Sequence, residues 1–156
     1  MNNIQIAYEQ VRKFNQIAGN LNGADLDGIA HQIEFIDSEL DEAWAGYQEQ
    51  DMVEVVDGAC DLFVTVAGLM QRLEAAGVNI EKALARVNEN NLSKFPTTHV
   101  HENDATLQPE DTDVVFTDYG HVVYKRKHDG KVMKPTNFVS VDITSCVPTD
   151  LFVEAE

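Results

Sequence analysis

The sequence predicts a mainly α-helical protein, a bundle of four to five helices with a small C-terminal β-hairpin or extended appendage. Three observations predict it. Apolar residues recur at helical spacing through most of the first 95 residues. Glycines and a proline (Gly19, Gly77, Pro96) stand at the ends of those periodic runs. Beyond Pro96 the period is lost, and short β-rich runs appear between turn residues. The chain therefore reads as a helical body over 1–95 and a loop-and-β appendage over 96–156 of the same single domain.

The first helix is carried by Ile4, Ala7, Tyr8, Val11, Phe14 and Ala18, and Gly19 offers its stop. Asn20–Gly28 is a turn-rich linker. The second helix spans roughly Ile29–Gln48, with Ile33, Ile36, Leu40, Ala43, Trp44 and Tyr47 as its core stripe. The third runs from about Met52 to Ala76 and ends at Gly77. Asn79 can cap a fourth, roughly Ile80–Leu92, which Pro96 stops. His99–Asp113 is polar and acidic without a period and reads as a loop. Val114–Phe116 and His121–Lys127 read as short strands around Asp118-Tyr119-Gly120, and Asp129-Gly130 as a further turn. The tail, Val139–Glu156, is mixed and ends acidic.

The 156 residues suffice for one domain with a real core, and the apolar fraction, 44%, is ordinary. The net charge of -16 is not. It argues against binding a nucleic-acid polymer or an anionic membrane through a basic face. It leaves a nucleotide substrate open, because bound metal ions reverse the local field. Two cysteines make no disulfide framework, and Cys60 reads as a small core residue. No basic segment followed by an apolar run opens the chain, so no signal peptide is expected and the cytoplasm is the default. Val55–Met70 is too short and too charged to span a membrane.

That segment, VVDGACDLFVTVAGLM, is the most apolar of the chain, and its only charges are Asp57 and Asp61. A helix apolar nearly all round is expected to be buried, and buried carboxylates need compensation. No Lys or Arg lies between Lys13 and Arg72, so a divalent metal is the cheapest partner. Glu54, Asp57 and Asp61 fall within about 60° of one another around the third helix, and Glu39 and Glu42 share a face of the second. Four or five carboxylates then line a cleft. Hard oxygen donors suit Mg²⁺, with Mn²⁺ possible. An ExxE pair alone also suits a solvated helix face, and either aspartate can pair with Arg72 or Arg86 instead.

The ordered set resembles the all-α nucleoside triphosphate pyrophosphohydrolase superfamily, in its MazG-like and phosphoribosyl-ATP pyrophosphohydrolase-like branches. Glu39-Leu-Asp-Glu42 resembles the ExxE motif. Val11–Phe14, the Val87–Phe95 segment VNENNLSKF and the Asp129–Pro135 segment DGKVMKP resemble further segments of one branch. Together these cover most of the chain. The second acidic motif departs from the usual ExxD, because position 58, three before Asp61, is glycine. Either Glu54-Val-Val-Asp57 is that motif, or Asp61 takes the aspartate role with Asp57 in place of the glutamate.

The resemblance implies an enzyme, a nucleoside triphosphate diphosphatase, that cleaves a (d)NTP between the α and β phosphates to a (d)NMP and pyrophosphate. Glu39, Glu42 and Asp57, with Asp61 or Glu54, would hold Mg²⁺, and one carboxylate would act as base toward the attacking water. Asn91 and Lys94 would face the cleft, and Lys131 and Lys134 would counter the triphosphate charge. Lys125–Lys127 reads as solvated surface. Phe35, on the same side as Glu39 and Glu42, is the candidate for base contact, whereas Trp44 and Tyr47 read as core. The five histidines and two cysteines show no zinc spacing, and His99 and His101 read as solvated. The resemblance further implies a homodimer or homotetramer with clefts completed by a second chain. Alternatives are a dedicated dUTP or dGTP pyrophosphatase, a phosphoribosyl-ATP pyrophosphohydrolase, or a non-catalytic acidic helical module that binds a basic partner.

Overall fold

Two residues, Gln50 and Asp51, set the main architectural feature. Gln50 adopts a left-handed conformation, φ 60°, and its N–H bonds back to the carbonyls of Gly46 and Tyr47, closing one helix. The Asp51 side chain accepts from the N–H groups of Val53 and Glu54, opening the next. The result, in a computed structural model that describes residues 3–23 and 25–151, is a long helical hairpin of α2 (Leu26–Glu49) and α3 (Met52–Ala75).

Small residues let the two helices of the hairpin close on each other. A Cβ on Gly46 would lie 2.8 Å from the Glu54 Cβ, one on Gly58 2.8 Å from the Ala43 Cβ, and one on Gly68 3.2 Å from the Gln32 Nε2. The pairs 46/54, 43/58 and 32/68 fix an antiparallel register. The face of α2 turned to α3 is accordingly Gln32, Ile36, Glu39, Ala43 and Gly46, all buried or half-buried. It is not the expected core stripe. Ile33, Leu40, Trp44 and Tyr47 are exposed, because bulky side chains there would hold the helices apart.

Helix α1 (Asn3–Ile17) joins α3 through polar groups as much as apolar ones. Val11 is buried, but Ile4 and Phe14 are exposed. Asn15 Nδ2 donates to Gln71 Oε1 at 3.1 Å, and Gln71 Nε2 donates to the Tyr8 carbonyl at 3.0 Å. Arg12 pairs with Glu74 at 2.8 Å. Each buried amide is thereby satisfied, as burial requires.

The chain falls into two compact units. One comprises the described residues up to Ile80 together with those from Cys146 onward; the other is Glu81–Ser145. This boundary differs from the division expected at residue 95, because α4 (Ile80–Leu92) groups almost wholly with the segment that follows it. The second unit also holds α5 (Thr98–Asn103) and an antiparallel sheet of β1 (Thr112–Phe116), β2 (Val122–Arg126) and β3 (Val132–Met133), in that order. Val114 opposes Tyr124, and Tyr124 opposes Met133. Val122, Tyr124 and Leu107 form its core, with Val114 and Met133 against it.

The span expected to be a loop, His99–Asp113, is therefore corrected: it holds most of α5, a 3₁₀ turn at Ala105–Leu107 and the start of β1. Thr97 caps α5 by accepting from the Val100 N–H, and Asp104 caps the 3₁₀ turn through the Thr106 N–H. The tail turns once more at Thr144–Cys146, where Cys146 is buried. Its acidic end, residues 152–156, lies outside the described residues. Among the described residues, no helix is long and apolar enough to cross a membrane.

Candidate functional site

The hairpin register brings the carboxylates of α2 and α3 to one side. Glu39 is half-buried at the α2–α3 contact. Its carboxyl is pushed above the usual range by desolvation, then by the negative charges of Glu42, Asp61 and Asp57. The raised pKa marks a shared field: the other glutamate of ExxE and two aspartates of the third helix act on Glu39. Glu54 is not among the charges that raise Glu39. It sits in the first turn of α3, where a carboxylate favours the positive end of the helix dipole, and its Cβ faces Gly46.

The premise that Asp57 and Asp61 are buried is corrected. Both are exposed, as are Val56, Cys60 and Phe63 beside them. Cys60 is therefore not a core residue of the single chain. One flank of α3 meets α2 and its C-terminal half meets α1, which leaves the N-terminal half uncovered on its remaining sides. Among the described residues, no three His, Cys, Asp or Glu side chains converge as a ready metal-binding group. The four carboxylates share a field without converging on one point.

Beside the carboxylates lies an open cavity of about 730 Å³ walled by α1, α2 and α3. Glu39 and Phe35 both line it, so the aromatic side chain expected near Glu39 is found there. Its polar wall is a connected network. Arg72 Nε donates to Gln32 Oε1 at 3.2 Å, and its guanidinium also reaches the Asn20 carbonyl at 3.2 Å and Asp25 at 3.6 Å. Gln32 Nε2 donates to the Thr65 carbonyl at 3.1 Å. Sequence reading missed Asn15, Gln32 and Arg72 as pocket residues. The available signal was an amide on the true contact face of α2, three residues before Phe35.

The remaining sequence-matched residues belong to the second unit. Lys94 Nζ donates to Asn91 Oδ1 at 2.7 Å, so that pair does meet. Lys131 donates its backbone N–H to Asp129, and the Lys134 ammonium lies 4.5 Å from the Phe138 ring centre. His101 Nδ1 lies 3.0 Å from the Tyr124 hydroxyl, which makes it part of the sheet's packing rather than a solvated loop residue. His99 is exposed. Trp44 and Tyr47 stack on each other on the exposed face of α2 instead of in the core.

No protein-family model, curated protein or solved structure matches this chain.

Proposed function

We propose that this protein is a nucleoside triphosphate pyrophosphohydrolase of the all-α type, with Glu39, Glu42, Asp57 and Asp61 as the ligands of Mg²⁺. The observation that carries the reading is the common electrostatic field of these four carboxylates at Glu39, next to a cavity that Glu39 itself lines with Phe35. The donor chemistry suits the ion, hard charged oxygens beside an open cavity, and the side chains would have to turn toward one another to share it. Bound there, Mg²⁺ would neutralise phosphate charge and lower the barrier to attack at phosphorus. Glu39, the group with the raised proton affinity, would accept a proton from the attacking water. In this reading Asp61 rather than Glu54 completes the set.

The test is pyrophosphate release from a panel of NTPs and dNTPs with Mg²⁺, Mn²⁺ or EDTA, with the nucleotide products separated by chromatography. Metal-dependent formation of monophosphate and pyrophosphate is expected. Asp61→Asn and Glu39→Gln should each lower kcat by about a hundredfold or more, the scale of losing a general base or a metal ligand. Glu54→Gln should lower it far less. Turnover unaffected by EDTA, or by Asp61→Asn, would sink the assignment. The exposure of Asp57 and Asp61 also suits a second reading, an acidic face that docks a basic protein; absence of turnover on every nucleotide, including phosphoribosyl-ATP, would favour it.

A further inference from the structure

Resting on the nucleotide reading, we infer that the cavity beside Glu39 is a base-selecting pocket that prefers bases with a carbonyl acceptor at purine position 6 or pyrimidine position 4 (guanine, uracil, thymine) to those with an amino group there (adenine, cytosine). Its occupant follows from the walls. Phe14 and Phe35 both line it and are exposed in the free chain, at 64% and 53%, as flat apolar surfaces available to a ring. Glu39 belongs to both the cavity and the acidic cluster, so a ligand spanning the two carries a planar end and a phosphorylated end.

The preference follows from how the amides are held. Gln32 is buried, 8% exposed, and its orientation is fixed from both sides: Oε1 accepts from the Arg72 guanidinium, and one N–H goes to the Thr65 carbonyl. Asn15 is fixed likewise, with Oδ1 accepting from Asn20 Nδ2 at 3.0 Å and one N–H going to Gln71. An amide has one carbonyl oxygen and two N–H groups. In both residues the oxygen and one N–H are engaged, so each offers a ligand a remaining N–H donor. A donor-presenting wall suits the O6 acceptor of guanine or the O4 of uracil and thymine. It opposes the exocyclic amino donors of adenine and cytosine. The amides cannot flip to suit an amino group, because flipping Gln32 would set its NH₂ against Arg72 and its oxygen against the Thr65 carbonyl.

The test is a titration of the intact protein with GMP, UMP, AMP and CMP, following the side-chain amide resonances of Gln32 and Asn15 by nitrogen-15 NMR. GMP and UMP should move these resonances and bind about tenfold tighter than AMP and CMP, the scale of one or two hydrogen bonds. Gln32→Glu keeps an acceptor for Arg72 and removes the donor; it should abolish or reverse the preference. Amide resonances unmoved by all four nucleotides at millimolar concentration would overturn the inference. So would equal or reversed affinities in the wild type, or a preference that survives Gln32→Glu. Should that variant not fold, the wild-type titration decides alone. The two readings fail separately: base-selective binding without turnover sinks the pyrophosphohydrolase, while turnover without base preference or amide shifts sinks the pocket.

Discussion

Glu39 is the residue on which the charge of the acidic face acts. Its affinity for a proton is raised, so its ionisation opposes folding; the stability it contributes is fully present below the ordinary carboxylate range and is lost as pH rises through its raised value. A divalent cation should relieve the repulsion that ionisation creates. Mg²⁺ is therefore expected to raise Tm more at pH 7.5 than at pH 5, and Glu39→Gln should reduce that difference; equal Mg²⁺ effects at both pH values would contradict it. Asp129 shows the opposite sign. Its hydrogen bond from Arg126, then that from the Lys131 N–H, holds its carboxyl down at about 2. Its contribution is present above the ordinary value of 3.8 and is lost as pH falls toward about 2. Arg126→Ala should return the Asp129 titration, read by NMR, toward the ordinary value.

At the scale of elements, the α2–α3 hairpin rests on glycine. A Cβ at Gly58 would meet the Cβ, Cα and N of Ala43 at 2.8, 2.9 and 3.0 Å, and backbone cannot swing aside as a flexible side chain can. Gly58→Ala gains about 1 kcal/mol of helix propensity, yet overpacking of this kind costs about 1–3 kcal/mol and forces the helices apart. A net loss of stability in chemical denaturation is expected, together with reduced activity, since the same register aligns Glu39 and Glu42 with Asp57 and Asp61. A stabilised, fully active Gly58→Ala would show that the helices are not held this closely. Gly28 makes the corresponding opening at the far end of the hairpin, where a Cβ would collide with Asp25 and the Arg72 guanidinium.

At the scale of the molecule, the exposed apolar surface is too large to leave unexplained. Ile33, Leu40, Trp44 and Tyr47 recur at helical spacing along α2 and are 54–62% exposed. The resemblance to the pyrophosphohydrolases implies a homodimer or homotetramer, and we propose that a second copy of the chain covers this face. Sedimentation velocity at micromolar concentration should give a dimer or larger, and Leu40→Asp should shift it toward the single chain. A wild-type protein that sediments as a fully active monomer would overturn this assembly.

The four long helices were legible in the chain because their signals are local, whereas the short α5 was not. The third and fourth were bounded within about a residue by Gly77, Asn79 and Pro96, and the β1–β2 hairpin was placed within two residues around Asp118–Gly120. The grouping of Glu39, Glu42, Asp57 and Asp61 on one side was likewise legible, since helical spacing fixes faces once the helices exist. Only the tertiary structure decided which face each helix turns inward. Hydrophobicity marked Leu40, Trp44 and Tyr47, but close approach selected Gln32, Ala43 and Gly46, because two helices pack by the shape of their contact surfaces and the small residues allow the shorter distance. For the same reason the carboxylates stand at the surface, and the amide-lined cavity could not be read from the chain. Its members, Asn15, Gln32 and Arg72, lie far apart in sequence and meet only when α1, α2 and α3 are in register.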